Sequence, residues 1–243
     1  MSPKPSNPST RTKSKRPAVR RTGNRWVFPV VVAGVAALGI LAVVLTAAGD
    51  GGGSGSDADA VQIAAEVRVD GAALPQYTTP ARDNALGRPA PALGSVDFDG
   101  RNVEVGGATG SPYAVVFLAH WCPYCQAEVP RLVAAAQNGR IAGVPVIGVT
   151  TGTTDAQPNY PPSAWLARED WPFPVLVDDA NGSAAKAYGL GGYPFMVFVD
   201  ANGTVVGRHS GEMSESDLAA VFTALAAGKP LPLPGTGASS STK

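Results

Sequence analysis

The chain has 243 residues, its 19 basic and 19 acidic side chains leave no net charge, and it has only two cysteines. A single pair of cysteines excludes the framework of several disulfides that stabilises many small exported proteins. Charge is unevenly distributed, because eight Lys or Arg and no acidic residue lie in residues 1–25. The rest of the chain therefore holds 11 basic and 19 acidic residues.

Residues 1–25 are rich in Pro, Ser, Thr and basic residues and are predicted to be disordered. Residues 26–48 carry no charge, and 23 residues are enough to cross a hydrocarbon core of ~30 Å. Basic residues before this segment and none directly after it predict a cytoplasmic arm, a single transmembrane anchor and an extracytoplasmic remainder. This topology explains the basic arm without a nucleic-acid partner. The alternative is a cleaved signal peptide, although the segment exceeds the ~7–15 residues of a signal h-region.

A linker, an extension, one domain and a tail are predicted after this segment. Residues 49–60 are Gly/Ser-rich and favour a flexible linker, and the Pro/Gly-rich residues 229–243 favour a disordered tail. Residues 61–84 form an N-terminal extension before a domain at 85–228. Within this region we expect a strand at 65–69, a Pro-rich surface segment at 72–94, and a hairpin of strands 96–98 and 103–105 around the turn Asp99-Gly100.

Apolar runs and helical periodicity predict the elements of the domain. The run at 114–119 is typical of a buried central strand, and a helix kinked at Pro130 is expected over 122–136. Further elements are expected as strands at 144–150, 174–177, 195–199 and 204–207, and as helices at 161–168, 183–188 and 214–227, the last capped by Ser214. This order predicts an α/β fold with a mixed central sheet flanked by helices.

The sequence Cys122-Pro123-Tyr124-Cys125 follows the apolar strand and begins the kinked helix. A thiolate is the nucleophile in disulfide exchange, and a helix N-terminus offers free N–H groups and the positive end of a dipole. The spacing of three lets the second thiol reach the first. An inert clip is the alternative, but so small a loop adds little chain-entropy stabilisation. Without a third cysteine, electrons pass directly to or from another molecule.

Four groups of segments carry a family resemblance. They are GRPAPAL at 87–93 with DFDG at 97–100, WCPYCQAEVP at 121–130, FPVLVD at 173–178 with AYGLGGYP at 187–194, and FVDANG at 198–203. Over roughly residues 85–228 the chain resembles the membrane-anchored TlpA/ResA-like thiol–disulfide oxidoreductases of the redoxin branch. The resemblance implies a thioredoxin-like fold, here with an N-terminal β-hairpin extension and a preceding transmembrane helix.

The resemblance also implies the roles of the catalytic residues. Cys122 is expected to be the nucleophile at the exposed helix start, and the less exposed Cys125 is expected to resolve the mixed disulfide. Glu128 is expected to shuttle protons near the buried thiol; its alternative is a solvated helix carboxylate. His120 either assists Cys122 when it is protonated or is a strand-end histidine without a special role.

Five residues are predicted to bind substrate or shape the site: Trp121, Pro123, Tyr124, Tyr193 and Pro194. Pro194 matches the family's cis-proline, which would place the Tyr193 backbone where an extended substrate segment could pair with it. Tyr193 departs from the Thr or Val of many relatives and could instead be a packing residue. Trp121 is expected to shield the dithiol or to join the core. Pro123 and Tyr124 are expected to set the reduction potential of the dithiol.

These expectations combine into one function. The chain is predicted to be a membrane-tethered, extracytoplasmic thiol–disulfide oxidoreductase acting on cysteine pairs of exported proteins, with a lean towards reduction and a membrane electron donor or acceptor. No organic cofactor and no metal is implied. The alternatives are a peroxiredoxin-type peroxidase, disfavoured by Ala119 where that family has Thr or Ser; a copper chaperone, with His209 as the distant histidine; and an exported binding module with a vestigial dithiol.

Overall fold

The computed structural model describes residues 60–235. In this part of the chain a mixed sheet of eight strands is accompanied by four α-helices. The strands are β1 (Arg68–Asp70), β2 (Ala92–Val96), β3 (Asn102–Val105), β4 (Tyr113–Leu118), β5 (Val146–Thr150), β6 (Val175–Val177), β7 (Phe195–Val199) and β8 (Val205–Ser210). The helices are α1 (Pro123–Gln137), α2 (Pro162–Arg168), α3 (Ser183–Ala187) and α4 (Glu215–Ala226), and a short 3-10 helix spans Pro80–Arg82.

The sheet has the strand order β1-β2-β6-β5-β4-β7-β8, and β3 pairs with β2. Strand β4 lies between β5, to which it is parallel, and β7, to which it is antiparallel. All six residues of β4 are buried because both faces of the sheet are covered. Side chains of α1 and α4 pack on one face, and those of α3 and residues 74–90 pack on the other. This arrangement confirms the predicted thioredoxin-like α/β architecture.

Most predicted elements are present with small shifts of their ends. The hairpin strand begins at Ala92 rather than 96, the extension strand is Arg68–Asp70 rather than 65–69, and β8 continues to Ser210. The predicted cap of α4 is confirmed, since Ser214 Oγ accepts a hydrogen bond from Asp217 N at 3.1 Å. Tertiary pairing causes these shifts, because a strand extends as far as its neighbour offers hydrogen-bond partners.

The prediction that residues 72–94 only wrap the surface was wrong. Leu74, Tyr77 and other apolar side chains of this segment are buried against the sheet. Backbone N–H groups of Leu74 and Tyr77 donate to Ala187 O and Gly189 O, both at 2.8 Å. The frequent prolines mark irregular backbone, but they do not reveal that this backbone covers one face of the core.

Several predicted segments lie outside the described residues. These are the arm at 1–25, the membrane anchor at 26–48, the linker except for residue 60, and residues 236–243 of the tail. We expected the tail to be disordered, but Leu233 in its described part is buried and belongs to the core cluster that includes side chains of α1. Between residues 60 and 235, no helix has both the length and the apolar character needed to cross a membrane.

Candidate redox site

The dithiol lies where the central strand turns into a helix. Strand β4 ends at Leu118, and Cys122 is the N-cap residue of α1, with Pro123 at the first helical position. Proline suits that position, because its fixed φ is helical and its missing N–H would have had no partner there. Cys122 and Cys125 are both free thiols. The strand therefore holds the first cysteine at the helix N-terminus.

The outer thiol is less exposed than the sequence indicated. The Cys122 residue is only 5 % exposed, whereas Cys125 is fully buried. Cys122 Sγ lies 3.9 Å from the carbonyl oxygen of Tyr193, so the loop before β7 covers part of it. The predicted order of exposure is confirmed, but the expectation of an openly exposed Cys122 was wrong.

Cys125 is fully buried, one helical turn after the outer thiol. Its Sγ accepts a hydrogen bond from the backbone N–H of Ala119 at 3.5 Å. Burial strongly raises the pKa of the Cys125 thiol; that N–H opposes the rise, and the neighbouring Cys122 and Glu128 add to it. Cys125 is therefore held in its protonated form and needs a base before it can act as a nucleophile.

Glu128 is fully buried near this thiol, so its alternative as a solvated helix carboxylate was wrong. Its Oε2 accepts hydrogen bonds from Met213 N at 3.0 Å and from Arg131 Nη1 at 3.3 Å, and its Oε1 is buried without a partner. Burial raises the pKa of Glu128 to about 7, against the opposing effect of these two donors. The carboxyl group can therefore change protonation near neutral pH.

The residues before β7 form one wall of the site. The Tyr193–Pro194 peptide bond is cis, as the resemblance implied. The half-buried Tyr193 ring packs edge-on against Trp121, with ring centroids 5.7 Å apart and an interplanar angle of 85°. Trp121 Nε1 donates a 2.8 Å hydrogen bond to Gly152 O. Tyr193 is thus at once a packing residue and a boundary of the dithiol.

The two residues between the cysteines face solvent. Pro123 and Tyr124 are both exposed, and Tyr124 is 59 % exposed. A side chain so exposed next to Cys122 is available to touch a bound protein. The eight predicted site residues thus lie beyond the C-terminal end of the central strand β4, in residues 121–128 and in the Tyr193–Pro194 segment beside Cys122.

A cavity of about 280 Å³ opens beside Tyr193, and the sequence did not predict it. Its walls include Thr151, Gly152, Asp178 and Lys186. The Asp178 carboxylate accepts hydrogen bonds from the N–H groups of Ala184 and Ala185, and burial raises its pKa. The cavity therefore has both polar and apolar walls.

His120 has a role that sequence reasoning missed. It is 1 % exposed, and its Nε2 can only accept from the backbone N–H of Thr154 at 3.3 Å. Its Nδ1 therefore carries the proton and donates to Pro158 O at 2.8 Å. His120 holds the loop at 152–161 beside the dithiol through these two hydrogen bonds. Adjacency to the motif was its only signal in the sequence.

The copper alternative gains no ligand from the geometry. Within residues 60–235, no group of three or more His, Cys, Asp or Glu side chains could hold a metal ion. His209 lies on β8, and its Nε2 is 3.3 Å from Glu212 O. In the described part of the chain, no His, Cys, Asp or Glu side chain therefore joins the two thiols as a third ligand.

A model of the protein family described as Redoxin matches residues 85–225. The chain belongs to the Redoxin family. Its dithiol at a helix N-terminus and the cis-proline beside the outer sulfur both lie within the matched region.

Known Redoxin-like proteins agree with this assignment. The chain is 27% identical over 143 residues to the thiol-disulfide oxidoreductase ResA of Bacillus thuringiensis, covering 58% of the chain and 79% of that protein. It is 29% identical over 134 residues to a thiol:disulfide interchange protein DsbE homolog of Paracoccus denitrificans, covering 54% of the chain and 70% of that protein. This Redoxin-family chain is a thiol–disulfide oxidoreductase.

The fold is also similar to that of a conserved protein from Geobacillus kaustophilus, whose crystal structure aligns with a TM-score of 0.53 at 21% identity. That alignment covers 65% of this chain and 91% of the other. At this identity the similarity supports the fold of the Redoxin domain.

Proposed function

We propose that this protein is tethered to the cell membrane by residues 26–48 and exchanges disulfides with exported client proteins, in the reducing direction. Cys122 is the nucleophile, Cys125 the resolving thiol and Glu128 the group that takes up the proton of Cys125. The observation that carries the proposal is the layered arrangement of the three groups. Cys122, which is slightly exposed, caps the N-terminus of the helix, and the fully buried Cys125 and Glu128 follow it on the same helix.

The reaction has two displacement steps. In the first, the Cys122 thiolate attacks one sulfur of the client disulfide, and the other client sulfur leaves as a thiolate that takes up a proton. In the second, Cys125 gives its proton to the Glu128 carboxylate and attacks Cys122 Sγ. This step releases the second client thiolate, which is protonated in turn, and closes the Cys122–Cys125 disulfide. Cys122 releases one proton when it forms its thiolate, and Glu128 gives up the other after the second step. The client thus gains two electrons and two protons, and the Cys122–Cys125 dithiol loses them.

A membrane electron donor would then return the oxidised protein to its dithiol form. The donor's two electrons and two protons reduce the Cys122–Cys125 disulfide. They reach it directly, because the chain has no third cysteine to relay them. No organic cofactor enters this cycle.

The reducing direction is the lean of the TlpA/ResA-like resemblance. The reduction potential of the Cys122–Cys125 dithiol decides it.

The surface around Cys122 supports a protein client rather than a small substrate. The Tyr193 carbonyl lies beside Cys122 Sγ, Tyr124 projects into solvent, and the cavity next to Tyr193 can take a side chain of an extended segment. An extended client segment would pair with the backbone at Tyr193 while its sulfur meets Cys122.

Client trapping tests this proposal. Cys125→Ser leaves the mixed disulfide unresolved, so exported proteins with cysteine pairs should be captured covalently on the full chain and released by dithiothreitol. Cys122→Ser is the matched control and should capture none. If both variants capture the same proteins at the same level, the assignment of nucleophile and resolving thiol is wrong. A dithiol potential near that of strong oxidants, about −120 mV, would overturn the reducing direction.

A further inference from the structure

Behind the dithiol, one guanidinium group lies between two carboxylates. Arg131 Nη1 is 3.3 Å from Glu128 Oε2 and 2.6 Å from Glu212 Oε1. Glu128 is fully buried on α1, whereas the side chains of Arg131 and Glu212 are both about one-third exposed. Glu212 lies in the short connection between β8 and α4. The buried carboxylate and the solvent-accessible one therefore share a single cation.

The two carboxylates compete for this cation. The shorter distance shows that Arg131 is bound mainly by Glu212, so Glu128 receives only part of its positive charge and one long hydrogen bond. Its other stabilising partner is the backbone N–H of Met213, and its Oε1 has none. Loss of Arg131 would leave the Glu128 carboxylate with the N–H alone, whereas loss of Glu212 would free the guanidinium to move fully onto Glu128.

We propose that Arg131 and Glu212 are positioning residues whose ion pair sets how readily Glu128 exchanges a proton with Cys125. The proposal rests on the proposed function, in which Glu128 takes up that proton. Glu212 draws the Arg131 guanidinium away from Glu128, so that the Glu128 carboxylate stays basic enough to accept a proton. Arg131 in turn stabilises the ionised form of Glu128, which is the form that accepts the proton.

Other charged groups near this cluster are few. On α1, Glu128 faces Cys125 and Arg131; from the β8–α4 connection it faces Glu212. His209 on β8 contacts Glu212 only through the backbone carbonyl of that residue, and its charged neighbour is Asp217 of α4. The effects of the two residues on the Glu128 pKa agree with this competition, because Arg131 lowers that pKa and Glu212 raises it.

The test is the pH profile of the resolving step in the reduced full chain. Excess Ellman's reagent loads Cys122, and the slower unimolecular release of thionitrobenzoate reports the attack by Cys125. In the wild type this rate should rise with pH through the ionisation of Glu128. Arg131→Met should move the inflection upward and Glu212→Gln should move it downward, each by about one pH unit. Arg140→Met, which breaks the surface ion pair with Glu215, is the matched control and should leave it in place.

Opposite shifts distinguish this role from a structural one. Both substitutions break the Arg131–Glu212 ion pair, so a purely structural effect of losing that pair would shift the pH profiles of the two variants in the same direction. Shifts in the same direction, or none, overturn the proposal. A carbon-13 NMR titration of the Glu128 carboxyl group measures its pKa without turnover and should show the same two opposite shifts. If Arg131→Met does not fold, the downward shift in Glu212→Gln alone is the test.

Glu128→Gln separates the two levels of inference. If this variant loses the inflection while the other two show no opposite shifts, only the role of the ion pair fails. If it keeps the inflection, Glu128 is not the proton acceptor, and both the role of the pair and that step of the proposed function are wrong.

Discussion

The Glu128 carboxylate accepts a hydrogen bond from the backbone N–H of Met213 at 3.0 Å, across 85 positions of the sequence. This contact joins the redox helix to the segment that leads into α4. It supplies the buried carboxyl group with one fixed donor and leaves Oε1 without a partner. The proton affinity of Glu128 is therefore set by both segments together.

Stability should depend on pH through Glu128. Its folded-state pKa, raised by burial to about 7, lies above the value of 4.5 for a free glutamate. The folded protein therefore binds more protons than the unfolded chain between these values, and stability falls as pH rises through this window. Glu128→Gln removes the titration. From about pH 4 to about pH 8, wild type should lose about 3 kcal/mol of unfolding free energy relative to this variant.

Urea unfolding of the reduced proteins at both pH values measures this difference. Glu104→Gln is the control, because Glu104 is exposed, and its stability relative to wild type should hardly change with pH. A constant difference between Glu128→Gln and wild type would show that the carboxyl group titrates normally.

The two thiols should differ in their rate of alkylation. Cys125 is fully buried and its pKa is raised by burial, whereas Cys122 Sγ lies at the edge of the site. Iodoacetamide should therefore modify Cys122 in the reduced native protein faster than Cys125 by about tenfold or more. Mass spectrometry of peptides from a time course gives both rates. Denaturation should bring the rates together, and similar slow rates in the native state would contradict the assigned nucleophile.

Gly189 should tolerate no side chain. Its φ is +65°, and a Cβ atom there would overlap the carbonyl oxygen of Pro75 and lie 2.9 Å from that of Leu74. Gly189→Ala should reduce the unfolding free energy by about 3 kcal/mol or more, from the left-handed backbone and the overlap together.

Gly228→Ala is the matched control. Its φ of +61° is similar, but nothing lies within 4 Å of the added atom, so it should cost only about 1 kcal/mol. Chemical denaturation of the two variants compares them directly. Equal costs would show that residues 74–75 do not pack closely against Gly189.

Arg208 should be essential for anchoring the segment at 72–90. Its guanidinium forms a buried ion pair with Asp83 and donates to the carbonyl oxygens of Pro75 and Tyr188, both at 2.9 Å. Arg208→Met leaves Asp83 buried without its partner and should cost about 3–5 kcal/mol. Arg68→Met, which breaks the exposed pair with Glu104, should cost less than about 1 kcal/mol. Thermal and urea unfolding would refute this account if both variants lost the same stability.

Local signals in the sequence were enough for most elements and for the dithiol. The apolar run of β4 has no polar position because both its faces are covered, and Ser214 caps α4 through its own hydroxyl and a backbone N–H three residues later. The adjacency of Cys122 and Cys125 at a strand–helix junction is likewise a short-range property. Each of these features depends on residues close together in the chain, so the sequence determines it directly.

The chemistry of the site was decided by tertiary structure. A glutamate on a helix is ordinarily solvated, and only tertiary packing buries Glu128. That burial raises its pKa to about 7 against the opposing effect of the Met213 N–H. The closeness of Tyr193 to Cys122 spans 71 positions, and the ion pair of Arg131 with Glu212 spans 81. Burial and charge arise from such distant contacts, and no local pattern of residue types records them.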